Sequence, residues 1–309
     1  MLNLLIFFLL IGSFLLGMFW LKSGLYNLAG ERMTKLISRW TDAPWKGFLI
    51  GIAVTGVLQS SSAVMVLTIG FVSAGILNFR QSIGIILGTN IGTTLTLEII
   101  SLDIGFMSLP LLGCSLLLLI FPHPHTRALA ITLLGLSLIF VSMRGFEELA
   151  GPLSSQAFIH SLMEHSNAST IFSILLGMVL TGIVQSSTVI TGIAMSFTDT
   201  GIITIFAGIS IMLGANIGTC VTSYIAGIGS GKATKLTVYA HIWLNIAGVL
   251  IFFPFVDELG GMVRLASPDP EMQLAHASLA FNVICSILVL PFSGHFAKLI
   301  EKMHRINLR

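Results

Sequence analysis

Long apolar runs, interrupted at intervals by small polar clusters, set the pattern of this chain. Five runs, 2–21, 106–121, 125–143, 235–256 and 272–296, approach the length of about 20 apolar residues that a membrane helix needs, with 106–121 the shortest. Residues 80–102 and 206–228 are also long enough to cross, but each holds an Asn close to glycines near its middle, Asn90 and Asn216. This pattern predicts two broken transmembrane helices, each with an unwound NIGT joint. Residues 46–76 and 172–202 read differently: an apolar arm, a polar block, then a second arm. Arms of about 12 to 15 residues are short for full crossings. They predict two re-entrant helical hairpins with Gln-Ser-Ser at the tip, since non-helical backbone is tolerated at membrane depth where protein encloses it.

The two hairpins are copies. "TGVLQSSSAV" begins at Thr55 and "TGIVQSSTVI" at Thr181; "GTNIGT" begins at Gly88 and "GANIGT" at Gly214, and both pairs lie 126 residues apart. From Gly51 to Thr96 the register never slips, and 18 of the 46 positions are identical. Upstream, "GLYNLAG" at Gly24 matches "GFEELAG" at Gly145 at an offset of 121. Apolar helices share Leu and Ile by chance, but not polar blocks in fixed register, so the reading is a true duplication. One helix, a hairpin that does not cross, a broken helix and a further helix make three crossings per copy. The second copy then enters from the opposite face, the arrangement of inverted-topology repeats. Residues 1–122 form the first repeat, 123–256 the second, and 257–309 a C-terminal transmembrane helix with a basic tail.

Charge supports this topology. Only 9% of residues are charged against 55% hydrophobic, which excludes an ordinary soluble domain. On one face fall Lys22, Arg32, Lys35, Arg39, Lys46, Arg80, Arg127, Lys232, Lys235, Lys298, Lys302, Arg305 and Arg309; on the other only Arg144 and Arg264. Asp103, Glu147, Glu148, Asp199, Asp257, Glu258 and Asp269 join that second face. The positive-inside rule makes the basic face cytoplasmic, with the N-terminus outside and the C-terminus inside. The N-terminal run lacks a basic n-region and a cleavage site and reads as a retained helix. Tyr26 to Trp40 reads as an interfacial helix and not as a nucleic-acid patch. The three cysteines lie singly in apolar segments and read as reduced core residues.

The candidate chemistry sits in the repeated blocks: Gln59, Ser60, Ser61 and Ser62; Gln185, Ser186, Ser187 and Thr188; and Thr89, Asn90, Thr93, Asn216 and Thr219. These side chains are neutral and oxygen-rich, with no Lys or Arg among them. Hydroxyl and amide oxygens suit Na⁺, while half-helix N-termini suit an oxyanion. Together they point to cation-coupled anion transport. A serine in a membrane helix often bonds only a preceding carbonyl, a reading that two symmetry-related blocks make less economical. Glu98 reads either as part of an ion path or as an interfacial residue. His241 and Asn245, four apart on one helix face, read as a structural polar pair. The serines have no His or Asp nearby and match no nucleophile elbow, so the chain is not read as an enzyme.

At these residues the chain resembles the type II sodium-dependent phosphate cotransporters and their bacterial Na/Pi cotransporter relatives. "TGVLQSSSA" with "GTNIGTT", "TGIVQSSTV" with "GANIGT", "AHIWLN" and "AFNVICSILVLPF" carry the resemblance over nearly the whole chain. It implies Na⁺ as coupling ion, inorganic phosphate as substrate, and a multi-pass protein of the bacterial inner membrane. It marks both QSS blocks and the joints at Asn90 and Asn216 as the substrate and ion region. Three positions depart from the family: Thr188 stands for a third serine, Cys220 stands opposite Thr94, and Ser278 stands where a His is expected. Some bacterial members carry a C-terminal PhoU-like soluble domain, which is not expected here because the chain ends soon after its last helix. The reading is therefore an all-α polytopic membrane protein that moves phosphate with sodium by alternating access, embedded in the bilayer and compatible with a homodimer. Other readings are a sodium-coupled carrier of another oxyanion, such as a dicarboxylate or sulfate, and a membrane sensor or scaffold that binds without translocating.

Overall fold

A computed structural model describes residues 2–39, 41, 43–102 and 107–306. They form helices joined by short turns, with no strand among the described residues. Six helical stretches are long and apolar enough to cross a membrane: Leu2–Arg39, Phe79–Ile100, Pro124–Ser154, Ile205–Ala226, Lys232–Ala266 and Pro270–Met303. The chain is an all-helical, multi-pass membrane protein.

Helix α1 (Leu2–Arg39) runs unbroken through the segment expected to form a separate interfacial helix; Trp40, which ends that segment, lies outside the described residues. No proline interrupts it, so the helix simply continues. Next come α2 (Pro44–Leu58) and α3 (Ser61–Ser73), antiparallel arms joined by Gln59 and Ser60. At 1.5 Å per residue they span roughly 22 and 20 Å, against the ~30 Å of a bilayer core. A glycine-closed end then turns the chain into α4 (Phe79–Ile100). Gly75 takes φ 72°, and both Ile76 and Leu77 donate their N–H to the Phe71 carbonyl. Asn78 caps α4 reciprocally with Gln81.

The second copy repeats this geometry at the same offset. Helices α8 (Thr170–Val184) and α9 (Ser187–Asp199) flank Gln185 and Ser186. Gly201 takes φ 71°, and Ile202 and Ile203 donate to the Phe197 carbonyl. Thr204 caps α10 (Ile205–Gly218). The packing repeats too. A Cβ on Gly51 would lie 2.6 Å from the Ile85 carbonyl oxygen, and one on Gly177 would overlap the equivalent Ile211 oxygen. One on Gly92 would meet the Thr55 Cβ at 2.5 Å, one on Gly218 the Thr181 Cβ at 2.7 Å. The first arm of each hairpin thus lies parallel to, and nearly in backbone contact with, the long helix that follows.

Two expectations need correction. The unwound joint at Asn90 is absent, because α4 is one continuous helix. Its glycines are used for the close crossing with α2, and Thr89, Thr93 and Thr94 bond back onto their own helix instead of freeing it. In the second copy the interruption falls at Thr219, between α10 and α11 (Cys220–Ala226), not at Asn216, and Thr219 itself keeps helical angles of φ −59° and ψ −26°. The helix in the run 106–121 is also shorter than expected. Helix α5 (Ser108–Leu119) has 12 residues and starts beside the middle of α6 (Pro124–Ser154), where Ser137 Oγ donates to the Ser108 carbonyl at 2.7 Å. Asp103, the first residue of 103–106, and Arg309 lie outside the described residues.

Helix α6 crosses α1 antiparallel: Gly17 nears Gly135 and Ile139, while Gly24 nears Ala128 and Thr132. A short α7 (Ala157–Ala168) precedes α8, and its Asn167 bonds the Ile202 carbonyl and the Thr204 N–H at the base of the second hairpin. Beyond α11, Pro254 and Pro291 kink two long helices. Each continues as an amphipathic helix: α12 (Lys232–Phe252) into α13 (Val256–Ala266), and α14 (Pro270–Val289) into α15 (Ser293–Met303). The largest core cluster joins both copies through Phe14, Phe146, Val189, Ile209 and Leu274.

Candidate functional site

Each hairpin tip is two residues long, and the two tips share one backbone shape. Gln59 sits at φ 52°, ψ 32° and Gln185 at φ 56°, ψ 29°; Ser60 sits at φ −152°, ψ 94° and Ser186 at φ −147°, ψ 103°. A left-handed conformation costs a residue with a Cβ on the order of 1 kcal/mol, and glycine would adopt it freely. Strain of this kind persists where the surroundings hold it in place, and it points to a use for the side chain.

The tip brings two opposite helix ends together. Helices α2 and α8 arrive by their C-termini, whose last carbonyls lack helical partners and form the negative end of the dipole. Helices α3 and α9 leave by their N-termini, whose free N–H groups form the positive end. A cation and an anion therefore both find a complementary helix end within two residues of chain.

The side chains divide the two tips. Ser60 Oγ accepts from the Ala63 N–H at 3.2 Å, and Gln59, 8% exposed, donates from Nε2 to the Gly56 carbonyl at 2.5 Å. At the second tip Ser186 makes no capping bond and Gln185 is exposed. Among the described residues, the hydroxyls of Ser61, Ser62, Ser186, Ser187 and Thr188 make no hydrogen bond within the protein. Helix α1 leans over the first tip, where Leu21, Leu25, Gln59, Thr96 and Leu136 line a largely apolar cavity of about 350 Å³.

The second arm of each hairpin packs on the long helix of the other copy, α3 on α11 and α9 on α4. No hydrogen bond links the two tips directly. The remaining candidates are engaged elsewhere. Thr89 Oγ1 donates to the Ile86 carbonyl at 2.8 Å, Thr93 Oγ1 to Thr89 at 2.9 Å, Asn216 Nδ2 to Met212 at 2.9 Å, and Thr219 Oγ1 to Ala215 at 2.9 Å. Asn90 reaches across the copies, with Nδ2 3.4 Å from Asn245 Oδ1 on α12.

The structure adds partners that spacing alone did not reveal. Asn245 donates to the backbone carbonyl of His241, not to its ring, and the ring pairs with Ser223 Oγ at 2.8 Å. Glu98 lies 3.0 Å from His276 Nδ1 on α14. Ser278 contributes its carbonyl to Asn282.

Comparison with known proteins follows the same repeat. A model of the Na⁺/Pi-cotransporter matches residues 13–148 and 153–266. An uncharacterised protein of Bacillus subtilis, YqeW, is 44% identical over 301 residues, 97% of this chain and 98% of that protein. YjbB of Escherichia coli, named for inorganic phosphate export, is 24% identical over 92% of this chain, which spans only 52% of it. Sodium-dependent phosphate transport protein 2B of Homo sapiens is 37% identical over 86 residues, 26% of this chain and 12% of that protein. No solved structure matches. Two matched stretches, paired QSS tips and six long apolar helices place this chain in the Na⁺/Pi-cotransporter family.

Proposed function

We propose that this protein is a sodium-coupled transporter of inorganic phosphate that works by alternating access. The observation that carries the reading is the pair of equivalent tips, each joining a helix C-terminus to a helix N-terminus. Phosphate binds at the N-termini of α3 and α9, held by backbone N–H groups and the hydroxyls of Ser60 to Ser62 and Ser186 to Thr188. Sodium binds toward the C-termini of α2 and α8 and offsets the phosphate charge, since no Lys or Arg stands in the blocks. The antiparallel crossing of α1 and α6, which occupy matching places in the two copies, supports inverted repeats. Hairpin arms too short to cross support re-entrant hairpins.

The unequal tips support two-sided access. The Gln59 tip is buried and capped, while the Gln185 tip is exposed and uncapped. A transporter with exchangeable halves holds one gate shut and the other open, and reverses them during the cycle. The basic ends of α1, α2, α4, α6 and α12 support a cytoplasmic face there, which sets the N-terminus outside.

Radiolabelled phosphate flux in proteoliposomes tests the reading. Flux that rises with a sodium gradient is the expected result. Flux of a dicarboxylate or sulfate in its place would reassign the substrate, and binding without flux would identify a sensor.

A further inference from the structure

Thr55 and Thr181 stand 126 residues apart, each four residues before a tip glutamine. Both are 0% exposed, and neither hydroxyl has a hydrogen-bond partner. Among the described residues Ser166 and Thr222 also leave a buried hydroxyl unpartnered, but of these four only Thr55 and Thr181 hold equivalent places in the two copies. The buried threonines Thr68, Thr89, Thr94, Thr132, Thr198 and Thr237 all turn their hydroxyl back onto a carbonyl of their own helix. Leaving a buried hydroxyl unpaired is costly, and the same omission occurs at the same place in both copies. The crossing with Gly92 and Gly218 fixes the two Cβ positions, so the side chains are wedged and not free to wander.

Their location selects the ligand. Both lie in the last turn of α2 or α8, at the negative end of the helix dipole. Two carbonyls there are taken: Gly56 O by the Gln59 amide, and Thr181 O by the Gln185 N–H. The other carbonyls of the last turn lack helical partners. A hydroxyl lone pair beside open carbonyls, with no Lys, Arg, Asp or Glu in α8 or in the last turn of α2, suits a small monovalent cation. A divalent ion would call for carboxylates. We propose that Thr55 Oγ1 and Thr181 Oγ1 each coordinate one sodium ion, giving two equivalent cation sites, one beneath each tip. The inference rests on the sodium-coupled reading above and adds the atoms that hold the ion.

Thr→Val replacement separates a ligand from a structural group, because it keeps the shape and removes only the hydroxyl. The full chain is unfolded thermally in a sodium chloride series, with choline chloride balancing ionic strength and no phosphate present. Wild type is expected to gain Tm with sodium. Thr55→Val and Thr181→Val are each expected to match or exceed wild-type Tm in choline, since an unpaired hydroxyl has gone. Each should need about tenfold more sodium for the same gain, as for the loss of a contact worth ~1.4 kcal/mol. Thr55→Ser and Thr181→Ser, which restore the oxygen, should return the sodium response. Unchanged sodium dependence in both valine variants, or a lower Tm in choline, would overturn the assignment. Sodium-driven phosphate flux with an unaltered sodium requirement in both would overturn it too, while leaving the transport reading intact. No sodium response in wild type, by Tm and by flux alike, would overturn the coupled reading and the sites with it.

Discussion

Replacing Gly51 with alanine probes the crossing that sets the first hairpin against α4. The new Cβ would lie 2.6 Å from the Ile85 carbonyl oxygen, 3.1 Å from the Gly88 Cα and 3.2 Å from the Ile85 Cα. All three neighbours are backbone of a buried helix and cannot swing aside. Ordinary contact begins at 3.4 Å, so the helices must part by about 0.8 Å, a gap that forfeits a quarter to a half of the dispersion across the seam. Overpacking of this kind costs roughly 1–3 kcal/mol. At 2 kcal/mol the fall in Tm is about 4–8 °C by the scaling for larger domains. Gly177→Ala should cost at least as much, because its Cβ would overlap the Ile211 oxygen outright. The assay is thermal unfolding of purified protein, with Gly12→Ala and Gly113→Ala as controls, since nothing lies within 4 Å of a Cβ at either position. If Gly51→Ala and Gly177→Ala unfold with the controls, the parallel close crossing is wrong.

Three further outcomes are expected. Ser60→Ala and Ser186→Ala should both reduce phosphate flux at normal membrane expression, but only Ser60→Ala should also lower Tm, by the ~1 kcal/mol of a lost helix cap, because Ser186 caps nothing; equal effects on Tm would refute the asymmetry. Gln59→Gly and Gln185→Gly should keep or raise Tm by relieving about 1 kcal/mol of left-handed strain while flux falls; normal flux would show that the tip amides are dispensable. With Cys114, Cys220 and Cys285 replaced, a membrane-impermeant thiol reagent should reach Asp269→Cys from outside intact cells and Lys35→Cys only after permeabilisation; access from one side to both would refute the orientation.

The hairpins were the most legible part of the chain. A Gln-Ser-Ser block between two short apolar arms has few physical solutions, and the fixed 126-residue offset reappears as matching dihedrals, matching glycine-closed helix ends and matching backbone crossings. Asn90 was misleading for an equally physical reason. Glycines near an Asn weaken a helix in isolation, but here Gly88 and Gly92 let α2 approach, and that packing keeps α4 continuous. Prolines were informative only in context: Pro254 and Pro291 kink their helices without ending them, so each apolar span runs on into an amphipathic helix. Within the site, the polar blocks were readable because they interrupt apolar runs. The unpartnered hydroxyls of Thr55 and Thr181 and the Asn90–Asn245 contact were not, since a lone polar residue in a membrane helix looks the same whether its group is satisfied by its own helix or left for another partner.

Phosphate flux into sodium-free and sodium-loaded proteoliposomes, driven in turn by inward and outward sodium gradients, decides whether the two ions move together. Phosphate is expected to accumulate against its own gradient, in the direction that sodium flows, and to stop when choline replaces sodium. Phosphate movement that ignores the sodium gradient in both directions would contradict it.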